Sequence, residues 1–159
     1  LPGHRVPFLR TTAPLIARAM ASVRDSAALQ EVGVDLARTV LVAHQNVRAP
    51  KVIARDERRV TDIVRFVERT SEQPHALFDL AQRAGLSPFH FLRVFRKVTG
   101  VSPHQFLLRL RLNAAALKLR STREPITDIA YATGFEDLSN FIRSFRAEFG
   151  AAPSRYRAR

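Results

Sequence analysis

Apolar residues recur at helical spacing along most of this chain, and no segment alternates between apolar and polar residues as a strand would. One apolar stripe consists of Leu15, Ile16, Ala19, Met20 and Val23, and the next of Leu29, Val32, Leu36, Val40 and Ala43. A break near Arg24-Asp-Ser26 separates them, so the first fifty residues predict a helical hairpin. Its apolar faces are too extensive to stay in water, and we expect them to pack on the rest of the chain, on a missing domain or on a second copy.

The chain beyond Lys51 contains an internal repeat. Its matched pairs, at an offset of 50, are Arg93-Val-Phe-Arg96 with Arg143-Ser-Phe-Arg146, Gly100 with Gly150, and Pro103 with Pro153. Upstream the offset becomes 49, which aligns Gly85 with Gly134 and indicates one additional residue in the second turn. We therefore expect two copies of one supersecondary unit.

Each copy has the pattern of a short helix, a turn that contains glycine, and a longer helix. The first copy predicts a short helix over 77–84, a turn at Gly85, and a long helix that Ser87 caps and that ends near Thr99. Such a helix-turn-helix places its second helix in the major groove of DNA. One copy alone is weak evidence for DNA binding, and the repetition strengthens it.

The second copy predicts helices over 126–133 and 138–149, with Asp137 as the N-cap. A linker helix over about 103–120 joins the copies, and another helix precedes them over 56–70. The expected fold class is therefore all-α, with two helix-turn-helix subdomains joined by a long linker helix and preceded by a helical hairpin.

Composition changes near residue 50, where Asn46-Val-Arg-Ala-Pro50 has the character of a linker. Residues 1–50 contain six Arg against three Asp or Glu, whereas residues 51–159 contain twenty Lys or Arg against eleven Asp or Glu. We therefore expect a helical connector over 1–50 and a DNA-binding domain over 51–159. The chain begins with Leu rather than Met, which suggests that an upstream portion is missing.

The net charge of +12 favours a polyanionic partner, and nucleic acid is the first candidate. No run approaches the roughly 18 apolar residues of a membrane span, and nothing indicates a signal peptide. The absence of cysteine excludes disulfides, thiolate zinc sites and a cysteine nucleophile. The five histidines and the carboxylates form no metal-binding or catalytic pattern, so we expect no metal, no cofactor and no enzymatic activity.

The two long helices carry different residues on opposite faces. In the first, the expected buried stripe is Phe91, Val94, Phe95 and Val98, and the expected outer face is Phe89, Leu92, Arg93, Arg96 and Lys97. In the second, Phe141, Phe145 and Phe149 lie opposite Ser139, Ile142, Arg143 and Arg146. We expect Arg93 and Arg143 to read guanine bidentately through its O6 and N7 atoms. Phe89 or Leu92 would contact a thymine methyl group.

Other polar residues of these helices are expected at the sugar–phosphate backbone, where contacts fix register without reading sequence. They are His90, Arg96, Lys97, Asn140 and Arg146. For His90, a packing role is an equal alternative.

The C-terminal residues resemble a known family. They are Ile126-Thr-Asp-Ile-Ala130, Gly134-Phe135, Phe141, Arg143, Phe145-Arg146, Gly150, Pro153 and Tyr156-Arg157. This signature is similar to that of the AraC/XylS family of bacterial transcription regulators, and the resemblance extends upstream to about Arg58. It implies two helix-turn-helix units on one face of a duplex, in successive major-groove segments.

The same resemblance implies which residues read bases. They are Phe89 and Arg93 in the first unit and Leu138, Ser139 and Arg143 in the second. This chain is more apolar than the family pattern at Leu92, Leu138 and Ile142. Double-stranded operator DNA in the bacterial cytoplasm is therefore the expected partner, with groove segments about 34 Å apart.

Residues 11–45 resemble the connectors that support dimerisation in relatives, so a homodimer is expected as well, and RNA polymerase is a further candidate partner. The alternative function is that of a basic helical module. Its partner would be DNA, bound without sequence preference, or else an acidic protein or an anionic membrane. The arginines cluster on repeat-related helices rather than along one amphipathic helix, which favours sequence-specific DNA binding. The operator, the effector and the direction of regulation are left open.

Overall fold

The computed structural model describes residues 26–45 and 53–158, and every regular element within these ranges is a helix. In chain order the helices are α1 (Ser26–Gln45), α2 (Ala54–Arg69), α3 (Leu77–Arg83), α4 (Pro88–Thr99), α5 (Pro103–Ser121), α6 (Ile126–Ala132), α7 (Leu138–Phe149) and α8 (Pro153–Arg157). The predicted all-α class is confirmed, and so are the two helix-turn-helix units joined by the long helix α5. The first helix of the predicted hairpin, over 15–23, lies outside the described residues, as does the linker-like segment 46–50.

The chain folds into two compact units, each with one helix-turn-helix. Of the described residues, unit 1 contains those up to Ile63 together with His75–His104, and therefore includes α1, α3 and α4. Unit 2 contains Val64–Pro74 and the residues from Gln105 onward, and includes α6 and α7. Helices α2 and α5 contribute residues to both units.

The ends of α4 follow from its local sequence. Ser87 is extended, and its hydroxyl accepts a hydrogen bond from the His90 N–H at 3.3 Å, which satisfies one donor that the first turn leaves free. Pro88 follows at the first helical position, where its missing N–H is not needed. Gly100 ends the helix with φ +79°, a left-handed conformation that a residue with a Cβ adopts at a cost.

The core of unit 1 forms around α4. Phe91 and Phe95 have no exposed surface, and their ring centroids lie 5.5 Å apart. Val60 of α2 and Ala81 of α3 are equally buried, and Leu80 is 5% exposed. Burial of each large apolar side chain stabilises a fold by about 1.5–3 kcal/mol, so this cluster fixes α4 between its neighbours.

An aromatic cluster forms the core of unit 2. Phe141 and Phe145 of α7 are fully buried with centroids 5.5 Å apart, and Phe135 lies 5.0 Å from Phe141 at a steep angle. Tyr156 of α8 contacts Phe145 edge-on at 5.2 Å. Helix α8 was not predicted from the sequence, although the repeat aligns Pro153 with the first residue of α5 and so carried a signal for it.

A turn in unit 2 is held by one arginine. Arg111 of α5 donates from Nε to the carbonyl oxygen of Ser71 at 2.7 Å and from Nη2 to that of Gln73 at 2.8 Å. Gly134, with φ +90°, lies directly against this contact, because a Cβ built there would be 2.7 Å from the Glu72 carbonyl oxygen. Only glycine fits this approach, which sets the turn before α7.

Helix α1 packs against the other helices of unit 1. Gln30 accepts a hydrogen bond from the Leu77 N–H at 3.2 Å, and Glu31, 3% exposed, accepts one from the His104 N–H at 2.6 Å. These side chains thus supply the acceptors at the N-terminal turns of α3 and α5, where a carboxylate is also favoured by the helix dipole. Of the three packing possibilities, contact with the rest of the chain therefore holds for α1. None of the described helices combines the length and the apolar character needed to cross a membrane.

Candidate nucleic-acid interface

Helix α7 presents one polar face to solvent. Asp137 caps its N-terminus, with the carboxylate accepting the N–H groups of Ser139 and Asn140 at 3.0 Å each. Ser139 and Arg143 are exposed on the face opposite the buried phenylalanines, and so is Arg146. These residues lie where the sequence analysis expected them.

Two residues at the start of α7 are partly enclosed. Leu138 is half-buried and packs against the aromatic core of unit 2, so only part of its side chain faces outward. Asn140 is also half-buried, and its Oδ1 atom accepts a hydrogen bond from Arg143 Nη2 at 3.1 Å. Ile142 is 39% exposed and extends the outer face with an apolar surface.

The outer face of α4 differs from the prediction. Phe91, Val94 and Phe95 are buried as expected, but Leu92, expected outside, is only 2% exposed. Val98, expected in the buried stripe, is 37% exposed. The prediction for these two residues was therefore wrong.

Helix α1 is the physical reason for the burial of Leu92. Arg38 of α1 lies with its guanidinium carbon 4.9 Å from the ring centroid of Phe89, and Asp35 accepts a hydrogen bond from Arg96 at 3.1 Å. Leu92 falls between Phe89 and Arg96 on the same face of α4, since the three residues are spaced at i, i+3 and i+7. The side expected to face solvent is therefore covered by a neighbouring helix.

Arg93 is the last member of a chain of hydrogen bonds. Asp56 Oδ2 lies 2.7 Å from His90 Nε2, and His90 Nδ1 lies 2.9 Å from Arg93 Nη2. The His90 side chain is 12% exposed, which supports the packing alternative for this residue. The Nε atom of Arg93 is buried and has no hydrogen-bond partner within the described part of the chain.

The two basic residues predicted to contact phosphate from α4 are paired with carboxylates. Arg96 pairs with Asp35, and Lys97 pairs with Glu57 of α2 at 2.5 Å. The Lys97 side chain is 57% exposed, so its ion pair stabilises unit 1 by at most about 1 kcal/mol. The Asp35 carboxylate is only 11% exposed and is held more firmly in place.

The carboxylate partners of α4 were missed by the sequence analysis. Asp35, Asp56 and Glu57 are 61, 34 and 40 residues away from the side chains that they contact. Periodicity within one helix carries no signal for such pairs. Over residues 26–45 and 53–158, no three His, Asp or Glu side chains come together in a way that could hold a metal ion.

Comparison with known proteins identifies similar sequences. A family model described as a helix-turn-helix domain matches residues 80–159. The transposon Tn10 TetD protein of Escherichia coli is 36% identical over 98 residues, which are 62% of this chain and 71% of that protein. The regulatory protein SoxS of Escherichia coli (strain K12) is 34% identical over 100 residues, which are 63% of this chain and 94% of that protein.

Solved structures give the same result for the fold. A transcriptional regulator from Chromobacterium violaceum, described as an AraC-type DNA-binding domain-containing protein, is 31% identical with a TM-score of 0.59, over 67% of this chain and 95% of that one. The DNA-binding domain of AdpA, solved in complex with a target DNA, is 28% identical with a TM-score of 0.61. That match covers 63% of this chain and 90% of the AdpA domain.

Proposed function

We propose that this chain, which belongs to the AraC/XylS family of helix-turn-helix transcription regulators, reads operator DNA by inserting α4 and α7 into successive major-groove segments. It is a sequence-specific DNA-binding regulator. Arg93 and Arg143 would read guanine through paired hydrogen bonds, and the other basic residues would neutralise phosphates.

The outer face of α7 is the observation that carries this proposal. Ser139, Arg143 and Arg146 project into solvent from the second helix of a helix-turn-helix, and their opposite face is anchored by fully buried Phe141 and Phe145. A rigidly anchored helix with an open row of donors fits the dimensions of a major groove. In this row, Ser139 and Arg143 are the proposed base contacts and Arg146 the phosphate contact. The outward part of Leu138 would contact a base edge.

The first unit would contribute through Arg93 and Phe89. Arg93 lies on the α4 face next to Lys97, whose exposed ammonium is proposed as a phosphate contact along with Arg96. His90 and Asn140 flank the proposed readers in their respective helices. With both units engaged, we expect the operator to contain two elements about one helical turn, ~10 bp, apart. A closer spacing of the helices would require the DNA to bend towards the protein.

Selection of binding sites from random duplex DNA near ~0.15 M salt tests the proposal. The expected result is enrichment of a site with two elements, in which Arg93→Ala relaxes one position and Arg143→Ala another, at a cost of about 1–3 kcal/mol each. Arg123→Ala is the matched control, because it removes the same charge from an exposed position outside α4 and α7. Binding without enrichment would support the alternative of a basic module without sequence preference, and no binding would refute a DNA partner for this chain.

Further partners form a finer part of the proposal. A homodimer through residues 11–45 would place two copies on paired half-sites, and sedimentation at micromolar concentrations would detect it. A regulator bound at a promoter would also contact RNA polymerase and would act in the bacterial cytoplasm. A monomer under all conditions, with or without operator DNA, would contradict the homodimer.

A further inference from the structure

In each unit, the guanidinium of the proposed reading arginine is held by the side chain three residues before it. Arg93 Nη2 donates to His90 Nδ1 at 2.9 Å, and Arg143 Nη2 donates to Asn140 Oδ1 at 3.1 Å. At the offset of 50 that relates the two copies, His90 aligns with Asn140. The copies therefore keep an acceptor at the same position but use different chemical groups for it.

In unit 1 the acceptor is itself fixed by a third residue. A carboxylate cannot donate a hydrogen bond when it is ionised, and a guanidinium cannot accept one. The 2.7 Å contact to Asp56 therefore requires a hydrogen on His90 Nε2, which leaves Nδ1 as the acceptor for Arg93. Asp56 is 8% exposed, so this arrangement is enclosed on one side by the fold.

We infer that His90 and Asn140 are positioning residues, which orient Arg93 and Arg143 for guanine before DNA binds. This inference rests on the proposed function. A bidentate contact to guanine requires the guanidinium plane to have one orientation relative to the base. An unrestrained arginine side chain loses considerable rotamer freedom when it adopts that orientation. An acceptor that fixes the plane in advance reduces this loss on binding. Asp56 supports the same role indirectly, through the tautomer of His90.

The test is made in unit 2, where the acceptor does not depend on a third residue. Asn140→Ala is expected to relax the base preference at the pair read by Arg143 by about three- to tenfold, as expected for one side chain that must be ordered on binding. The measurement compares affinities for the selected operator and for single-base variants of it. Affinity for DNA of unrelated sequence should not change.

Two further variants separate positioning from direct contact. In an Arg143→Ala background, Asn140→Ala should have no further effect, since its influence passes through Arg143. Asn140→Asp, which keeps an acceptor oxygen at the same place, should retain the ratio between affinities for the operator and for its single-base variants. Ser144→Ala is the control, because Ser144 also donates to Asn140 Oδ1, at 3.4 Å, but does not hold Arg143.

The inference is overturned if Asn140→Ala leaves the preference intact, or if it weakens binding equally in the Arg143→Ala background. The latter result would make Asn140 a direct DNA contact. If the proposed function itself is wrong, the result differs, because Arg143→Ala would then not relax the base preference at any position of the selected site. His90→Ala gives the parallel test for the position read by Arg93.

Different contacts carry a second inference, which concerns α1. Arg38 covers the ring of Phe89, and the Asp35 carboxylate binds the Arg96 guanidinium, as a DNA phosphate would. We propose that α1 is an intramolecular cap on α4, which must move before the covered ring of Phe89 reaches DNA, and whose Asp35 competes with phosphate for Arg96. This inference also rests on the proposed function, since it concerns access to the same face.

Arg38→Ala tests the cap because charge and capping predict opposite results. Loss of a positive charge weakens attraction to DNA, whereas loss of the contact between Arg38 and Phe89 favours the uncapped state. We expect affinity for the selected operator to rise by about two- to fivefold, the factor that corresponds to one exposed cation–π contact. Arg58→Ala, an equal charge change on the exposed surface of α2, should not tighten binding.

The cap is refuted if Arg38→Ala binds the operator as weakly as Arg58→Ala does. Asp35→Ala is a second variant, compared with Glu68→Ala, an equal charge change on the exposed surface of α2. Asp35→Ala should tighten binding more than Glu68→Ala does, because it also releases Arg96. A thermal melt of each variant without DNA shows whether the fold is retained. If no operator can be selected at all, the proposed function fails before the cap is tested.

Discussion

Gly134→Ala is expected to destabilise unit 2 more than a glycine substitution at an open position. At φ +90°, an alanine is strained by about 1–2 kcal/mol. Its Cβ would also lie 2.7 Å from the Glu72 carbonyl oxygen and 2.8 Å from Arg111 Nε, so the chain must shift. Displacing Arg111 weakens two hydrogen bonds from a charged donor, a further loss of roughly 1.5–3 kcal/mol before solvent exposure reduces it. The total is about 3–4 kcal/mol.

Gly150→Ala is the matched control in the same unit. Its φ of +71° imposes similar strain, but nothing lies within 4 Å of the added Cβ, so a loss of about 1–2 kcal/mol is expected. Both variants gain equally from the smaller entropy of the unfolded chain, and the gain cancels in the comparison. The free energies of unfolding are measured by urea denaturation followed by circular dichroism at 222 nm, a generic helix signal.

A difference of about 2 kcal/mol between the variants is therefore expected, with little change in the denaturant slope. In an Arg111→Ala background the difference should shrink, because the contact that the new Cβ displaces is already gone. Equal destabilisation of the two variants would refute the close approach between Gly134 and the segment held by Arg111.

Three further predictions concern the helices that carry the interface. Leu92→Ala should lower the free energy of unfolding by about 2–5 kcal/mol, because the side chain is 2% exposed, whereas Val98→Ala should cost far less. Equal losses of unfolding free energy in urea denaturation would contradict the burial of Leu92. Asp137→Ala should destabilise unit 2 by about 1 kcal/mol through loss of the N-cap, and Asp137→Ser should recover most of it, which thermal melts can measure. Arg146→Ala should weaken binding to all DNA sequences alike and reduce the slope of log affinity against log salt by about 1; loss at a single base pair would instead make it a base contact.

The sequence predicted most of the local structure because its signals lie within single elements. Apolar spacing identified Phe91 and Phe95 of α4 and Phe141 and Phe145 of α7 as buried, and all four are. Ser87 and Asp137 cap the helices as their positions indicated. Helix propensity, capping and the left-handed glycines depend on neighbouring residues, which the sequence displays directly.

The candidate site was predictable only in part. On α7 the expected outer residues are exposed, because no other described element covers that face of the helix. On α4, Leu92 was predicted to be exposed and Val98 to be buried, and the structure shows the reverse. The spacing of apolar residues indicates a buried stripe, but it does not show which neighbouring helix packs on each side. Leu92 lies on the side of α4 that α1 packs against, between Phe89 and Arg96, and periodicity within α4 does not show this.

The sequence by itself thus determined α2 to α7, the repeated helix-turn-helix and the buried phenylalanines of α4 and α7. Only the tertiary structure decided that α1 packs on α4, that Asp35 pairs with Arg96, and that Asp56 and His90 hold Arg93. These contacts depend on residues that are distant along the chain, such as Asp35 with Arg96 and Asp56 with His90, so no pattern within one helix specifies them. The physical reason is that a helix carries its own hydrogen bonds and its own apolar stripe, whereas a contact between helices depends on where folding brings them together.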